Sequence, residues 1–201
     1  MIKDVVDDII NKTKAELVTR EKVYDGGFVE VYEEKYKLPN DKEITKKSIV
    51  KNGNKDASIV IARVSDDKYL LVFQNRINNI VSVEFPSGYI EENEDVITGS
   101  IREVYEETGY LLSDGELVDT FIPNIGSESS KVHIVYLKNV VCKNNQKLDD
   151  DEYINYMEFS FDEISYLINN NYIQSGGNKL AFFYLKDILT KENNNNVLIK
   201  R

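Results

Sequence analysis

The chain has one cysteine, Cys142, and one histidine, His133, among 201 residues. A single cysteine excludes an intramolecular disulfide, and a reducing, cytoplasmic setting is expected. No helper histidine lies near Cys142 in sequence, so it reads as a small filler at a strand end rather than a nucleophile. His133 alternates with apolar residues in KVHIVYL and reads as structural. Catalysis by a His–carboxylate dyad is therefore hard to build. Long apolar runs are also missing. Nothing approaches the ~18 consecutive apolar residues of a membrane span. The N-terminal MIKDVVDDIINKTKAEL has no apolar run of the signal-peptide kind, so neither a leader nor a membrane segment is expected. Positive charge is scarce, with 25 Lys and Arg against 35 Asp and Glu for a net charge of −10. That balance argues against binding nucleic acid or an anionic membrane. It leaves room for a phosphate-bearing small molecule reached through divalent cations or local basic residues. No internal repeat is visible.

The chain does have material for a core. Its length suits one domain, or one domain plus an appendage, and its hydrophobic share of 41%, with thirteen Tyr and eight Phe, suits a packed protein rather than a disordered chain. Ile2, Val5, Val6, Ile9 and Ile10 recur at helical spacing and predict a helix over 2–17. Alternation follows in FVEVYEEKYKL, and LPND at 38–41 reads as a turn between strands. ASIVIARV, KYLLVFQNR and VSVEF are runs of strand length. Further strands are expected at 116–122, 131–142 and 152–159, and helices at 161–170 and 177–190. The run DDDEYI reads as a solvated loop entering a strand. Strands flanking a central helix, with helices at both ends, indicate an α+β or αβα sandwich.

The central helix is unusual. In GYIEENEDVITGSIREVYEETGY, residues 88–110, three glutamates fall within five residues. On a helical wheel Ile97, Ile101, Val104, Tyr105 and Thr108 share an arc of about 100°, and Glu103, Glu106 and Glu107 share another nearly opposite. Like charges three and four apart cost a few tenths of a kcal/mol each unless something neutralises them. Arg102 offsets part of this through its i,i+4 relation to Glu106. Hard divalent cations favour such oxygen ligands. Gly99, one turn before Glu103, costs roughly 1 kcal/mol in mid-helix and implies close approach by another segment. Gly109 is the expected C-terminal cap.

Gly88, five residues, Glu94, seven residues, then Arg102-Glu103-Val104-Tyr105-Glu106-Glu107-Thr108-Gly109-Tyr110 resembles the Nudix box in every specified position. At average residue frequencies its seven single-residue positions would recur by chance on the order of once in 10⁸ to 10⁹ starts. Outside the box, VYDGGFVEVYEEKYKLPND, LVFQNR, VEFPSG and DDDEYI resemble the ADP-ribose pyrophosphatase branch. The resemblance implies a Nudix αβα sandwich, with mixed sheets and the Nudix helix, plus an N-terminal helix and strand extension. It divides the chain into an extension at 1–52 suited to dimerisation, a Nudix domain at 53–190 and a flexible tail at 191–201. It implies hydrolysis of a nucleoside diphosphate derivative, foremost ADP-ribose to AMP and ribose 5-phosphate, by a homodimer using Mg²⁺ or Mn²⁺. Other nucleoside diphosphate sugars, dinucleotides, oxidised nucleotides and a non-catalytic sensor role are the alternatives.

By position, the resemblance makes Glu103, Glu107 and the carbonyl of Ser87 metal ligands, with Glu106 a ligand or a base. Glu94 and Arg102 would orient them. Arg76 in QNR would hold a substrate phosphate, and Glu84 is a further substrate-binding candidate. Phe28 matches a position that stacks an adenine ring. The loop PNIGSESS resembles one that supplies a catalytic carboxylate, which makes Glu128 the candidate base. Three departures stand out: Ile125-Gly126 replaces a Pro-Gly pair, Lys46 stands where some members have a second stacking aromatic, and Ser87 replaces an alanine.

Overall fold

Residues 2–150 and 152–199 are described by the structure, a computed structural model, with side chains through Asn194. They form two compact units. One holds the chain up to Asn54 together with Asn124–Ser130, and the other holds Lys55–Pro123 and the chain from Lys131 onward.

The first unit begins with α1 (Ile2–Thr13). This helix stops four residues before the sequence pattern suggests. Thr13 Oγ1 donates back to Ile9 O at 2.8 Å, and Glu16 already opens a strand. The cause is the run Leu17-Val18-Thr19, whose branched side chains favour the strand and pair with the next one. Strands β1 (Glu16–Asp25), β2 (Val29–Lys37) and β3 (Glu43–Lys51) form an antiparallel sheet in that order. The expected turn at 38–41 is present, closed by Leu38 N–H to Lys42 O and Asp41 N–H to Leu38 O, both 2.9 Å. All ten residues of β1 are exposed.

The second unit contains β4 (Ala57–Ser65), β5 (Lys68–Asn75), β6 (Val81–Glu84), β7 (Ser87–Tyr89), α2 (Val96–Thr108), β8 (Tyr110–Phe121), β9 (Val132–Lys143), β10 (Ile154–Phe159), α3 (Phe161–Asn169) and α4 (Gly176–Ile199). The strand order is β10-β5-β4-β9-β8, with β6 on β5 and β7 on β4. Among the described residues of this unit, only β4 and β9 run parallel. Strand β4 is the axis of this unit. Its first residues pair with β7 and its last with β5, so it belongs to two sheet segments at once.

The continuous apolar run in β4 follows from burial on both faces. Ile59 and Ile61 pack with Tyr69, Phe85, Ile134, Ile164, Ile173 and Leu185, toward α3 and α4. Val60 and Ala62 pack with Val104 of α2 and with Leu112, Val135 and Leu137. The sheet is therefore covered by α2 on one side and by α3 and α4 on the other, as the expected αβα sandwich requires. Two boundaries differ from the sequence reading. Strand β8 starts at Tyr110 rather than 116, because Tyr110 and Leu112 are buried immediately after the helix ends. Helix α4 continues past 190 to Ile199, since neither Gly nor Pro interrupts KENNNNVLI. The tail expected at 191–201 is thus helical as far as it is described.

Candidate active site

Helix α2 is fixed at both ends by its own sequence. Asp95 caps it, its carboxylate accepting from the N–H of Ile97 (3.0 Å) and Thr98 (3.2 Å). Gly109 ends it at φ 74°, a left-handed conformation that favours glycine. The buried side of α2 comprises Gly99, Ser100, Val104, Glu107 and Thr108. A Cβ at Gly99 would sit 2.7 Å from Glu94 Oε2 and 2.9 Å from Ile90 Cδ1, so this glycine admits the preceding segment as expected.

The three glutamates do not share one solvent face. Glu106 is 37% exposed at its side chain and Glu103 16%, whereas Glu107 is only 3% exposed overall. Glu107 Oε2 accepts the Ser87 N–H at 3.2 Å, and no cation forms a salt bridge with it among the described residues. Burial pushes the Glu107 carboxyl well above its usual range, and the charge of Glu103 adds to this. Burial also raises Glu103, against the pull of Arg102.

Arg102 uses all five of its N–H groups. Nε and Nη2 reach Glu94 Oε1 and Oε2 at 2.9 and 2.8 Å. The second Nη2 hydrogen goes to Tyr89 O at 3.0 Å. Nη1 donates to Glu103 Oε1 at 2.7 Å and to Glu106 Oε2 at 3.0 Å. The expected i,i+4 contact with Glu106 is therefore one part of a larger fork. Glu94, bonded by Arg102, has its carboxyl held below the usual range.

Strand β7 brings the glycine-bearing segment against this network. The Glu103 carboxylate fills the space that a Cβ on Gly88 would need, so only glycine lets the two approach. The segment leading into β7 is pinned from the other side of the sheet: Asn178 of α4, 2% exposed, accepts the Phe85 N–H at 2.7 Å. Val60 N–H donates to Pro86 O at 2.8 Å. Two groups at this site escaped the sequence reading. Asn178 has no local signal, because its partner lies far off in the chain. Glu152 stands in the acidic run taken as a solvated loop, yet it is partly buried and its charge helps raise both Glu103 and Glu107.

Among the described residues no three His, Cys, Asp or Glu side chains form a ready cage for an ion. Arg102 bonds both Glu103 and Glu106, but Glu106 is the more exposed, so Glu103 and Glu107 are the paired inward carboxylates. A buried carboxylate with one N–H partner and a second carboxylate beside it still fits a hard divalent cation, because that cation would supply the missing positive charge.

The other expected site residues fall in two places. Arg76 and Glu84, where β5 and β6 pair, meet each other: Nη2 lies 2.6 Å from Oε2 and Nε 3.3 Å from Oε1. Glu84 is 9% exposed and the Arg76 side chain 43%. Phe28 and Glu128 belong to the first unit. Phe28 is 55% exposed, at the turn between β1 and β2. Glu128 pairs with Lys51 at 2.9 Å. His133 is 8% exposed and bridges Thr120 Oγ1 (2.8 Å) and Asp56 Oδ2 (3.4 Å), in keeping with a structural role.

Comparison with known proteins bears on the family and the fold. Residues 54–176 match the NUDIX domain. ADP-ribose pyrophosphatase of Bacillus subtilis (strain 168) is 27% identical over 172 residues, covering 84% of this chain and 91% of that protein. Methanol dehydrogenase activator of Bacillus methanolicus is 30% identical over 171 residues, with the same coverage of 84% and 91%. The crystal structure of an ADP compounds hydrolase has the same fold, with a TM-score of 0.80 over 89% of this chain and 96% of that one, at 18% identity. With a domain match over more than half of the chain and an ADP-ribose pyrophosphatase among its relatives, the chain belongs to the Nudix family and is a Nudix pyrophosphohydrolase.

Proposed function

We propose that the chain hydrolyses the diphosphate linkage of a nucleoside diphosphate derivative, with ADP-ribose, giving AMP and ribose 5-phosphate, as the expected substrate. The observation that carries this reading is the pair Glu103 and Glu107, one turn apart on α2, one packed over Gly88 and the other buried with the Ser87 N–H as its one hydrogen-bond partner among the described residues. Their carboxylates, with the carbonyl of Ser87 and with Glu106 once it leaves Arg102, would hold Mg²⁺ or Mn²⁺. When bound, the cation would neutralise diphosphate charge and acidify a water.

The chain's own residues do the rest. Arg102 holds Glu94, Glu103 and Glu106 through four of its five bonds, so Glu94 and Glu103 are oriented before substrate arrives. Arg76 commits Nε and one Nη2 hydrogen to Glu84. Its other three N–H groups can take a substrate phosphate, with Glu84 holding the plane of the guanidinium. Glu128 would take the proton of the attacking water as the phosphorus–oxygen bond forms and the bridging bond breaks. Phe28 would stack on the adenine.

Residues 1–52 are proposed to support a homodimer. Exposed Ile2, Val5, Val6, Ile9 and Ile10 on α1, and the fully exposed β1, support this reading. The lone cysteine and the net charge of −10 suit a cytoplasmic enzyme that binds neither nucleic acid nor membrane.

The test is phosphatase-coupled phosphate release from a panel of nucleoside diphosphate derivatives with Mg²⁺ or Mn²⁺, with Glu107→Gln as control. Turnover of ADP-ribose that is abolished in the variant is the expected result. Faster turnover of another nucleoside diphosphate sugar or dinucleotide would keep the chemistry and replace the substrate.

A further inference from the structure

The loop Asn124–Ser130 is tied to the end of β3 by three bonds. Its own backbone closes first, with the N–H groups of Ser127 and Glu128 donating to Asn124 O at 2.9 and 2.8 Å. Ile49 N–H then donates to Ser127 O at 2.7 Å, and Ser129 Oγ donates to Asn54 Oδ1 at 3.0 Å. The third bond, like the second, joins two side chains: Lys51 Nζ donates to Glu128 Oε1 at 2.9 Å.

The backbone bonds fix the path of the loop but not the torsions of the Glu128 side chain. A free glutamate side chain has on the order of 1.5–2 kcal/mol of rotamer entropy to lose on being fixed. A charge-assisted bond from a residue on a strand fixes it in advance. The Glu128 side chain is only 12% exposed, so this pair is screened less than a surface ion pair. Lys51 engages one carboxylate oxygen, and a carboxylate has a second with which to accept a proton.

We propose that Lys51 is a positioning residue for Glu128, holding its carboxylate by one oxygen so that the other can act as the base. This rests on the reading of Glu128 as the base. Lys51 is then expected to act on the reaction only through Glu128.

Steady-state kinetics on the full chain test this, with saturating Mg²⁺ and the diphosphate compound turned over fastest, beginning with ADP-ribose. Lys51→Met is expected to lower kcat about 10- to 100-fold, the range seen when a group that orients a reacting one is lost. KM should stay within about threefold, because the loss falls on the transition state. Lys51→Arg should recover most of kcat. In the Glu128→Gln background, Lys51→Met should cost less than about twofold more, because groups acting as one unit are not additive. Unchanged kcat in Lys51→Met, an equal change in KM, or full additivity with Glu128→Gln would overturn the proposal while leaving Glu128 as base. Wild-type kcat in Glu128→Gln would remove the base itself, and the positioning role with it. Lys51→Gln serves the same comparisons if Lys51→Met does not fold.

Discussion

Arg102 and Glu94 meet end to end, Nε on Oε1 at 2.9 Å and Nη2 on Oε2 at 2.8 Å, each carboxylate oxygen taking one nitrogen of the guanidinium. The pair is the anchor of the fork that also reaches Glu103 and Glu106. Because Arg102 holds the Glu94 carboxyl below its ordinary value near 4.5, the bridge stabilises the fold above that value. Its contribution is lost as pH falls through the lowered folded value. Glu94→Gln should cost about 2 kcal/mol at pH 7, as expected for one partner of a partly buried bidentate pair. Urea unfolding of both proteins should show this gap narrowing below the ordinary carboxylate value and closing once Glu94 is protonated. A gap that does not change with pH would exclude the bridge as its source.

Gly88→Ala should fold, since the β4–β7 pairing uses only the backbone of this residue. The added methyl would occupy the place of the Glu103 carboxylate and force it aside. Binding of Mn²⁺, followed by calorimetry, should weaken about tenfold or more, as when a ligand loses its orientation. Affinity equal to that of the parent protein would show that Glu103 does not bind the ion in its present place.

Arg76→Ala should raise KM about tenfold or more with a smaller change in kcat, if the guanidinium binds a ground-state phosphate. Arg76→Lys should recover little, because an ammonium cannot hold Glu84 and a phosphate in one plane. Glu84, 9% exposed, is left as an unpaired carboxylate in the alanine variant, so a fall in melting temperature should accompany the kinetic change. Kinetics that lysine restores in full would reduce the site to a simple point charge.

Glu107→Gln should melt higher than the parent protein when divalent cations are chelated. The buried charge is gone, and the amide oxygen can still accept the Ser87 N–H. With cation at a hundred times its Kd, the parent protein should gain about 2.7 kcal/mol. The variant should gain far less. Thermal unfolding with and without Mg²⁺ checks both halves, and equal gains in the two proteins would place the cation elsewhere.

How much of this could be read in the sequence depends on the distance over which each feature acts. The Nudix helix was legible because its caps, its glycine and its arginine–glutamate contacts lie within a few residues of one another. The different fates of Glu106 and Glu107 were not. Both sit on one arc of the wheel, and only the packing of α2 on β4 and β7 turns Glu107 inward and leaves Glu106 at the edge. Asn178 gave no local signal at all. The end of α1 was misplaced because the helical spacing of the apolar residues says nothing about the β-branched run that follows. The loop at 124–130 reads as part of the second unit by position, yet its bonds to Ile49, Lys51 and Asn54 tie it to the first.

The bond from Phe85 to Asn178 joins residues 93 positions apart. A contact of that span closes a long loop, so its loss goes with the undocking of α4 rather than with a change local to β6. The segment carrying Ser87 and Gly88 is held on one side by its pairing with β4 and on the other by the docking of α4. On mild heating, catalysis should fail while the sheet is still intact, and the amide of Phe85 should exchange with solvent hydrogen at the pace of α4 rather than of its own strand neighbours. Amide exchange at Phe85 that instead follows β6 would separate the two. The thermal limit of the enzyme is on this view set at its C-terminal end, far along the chain from the glutamates that define it.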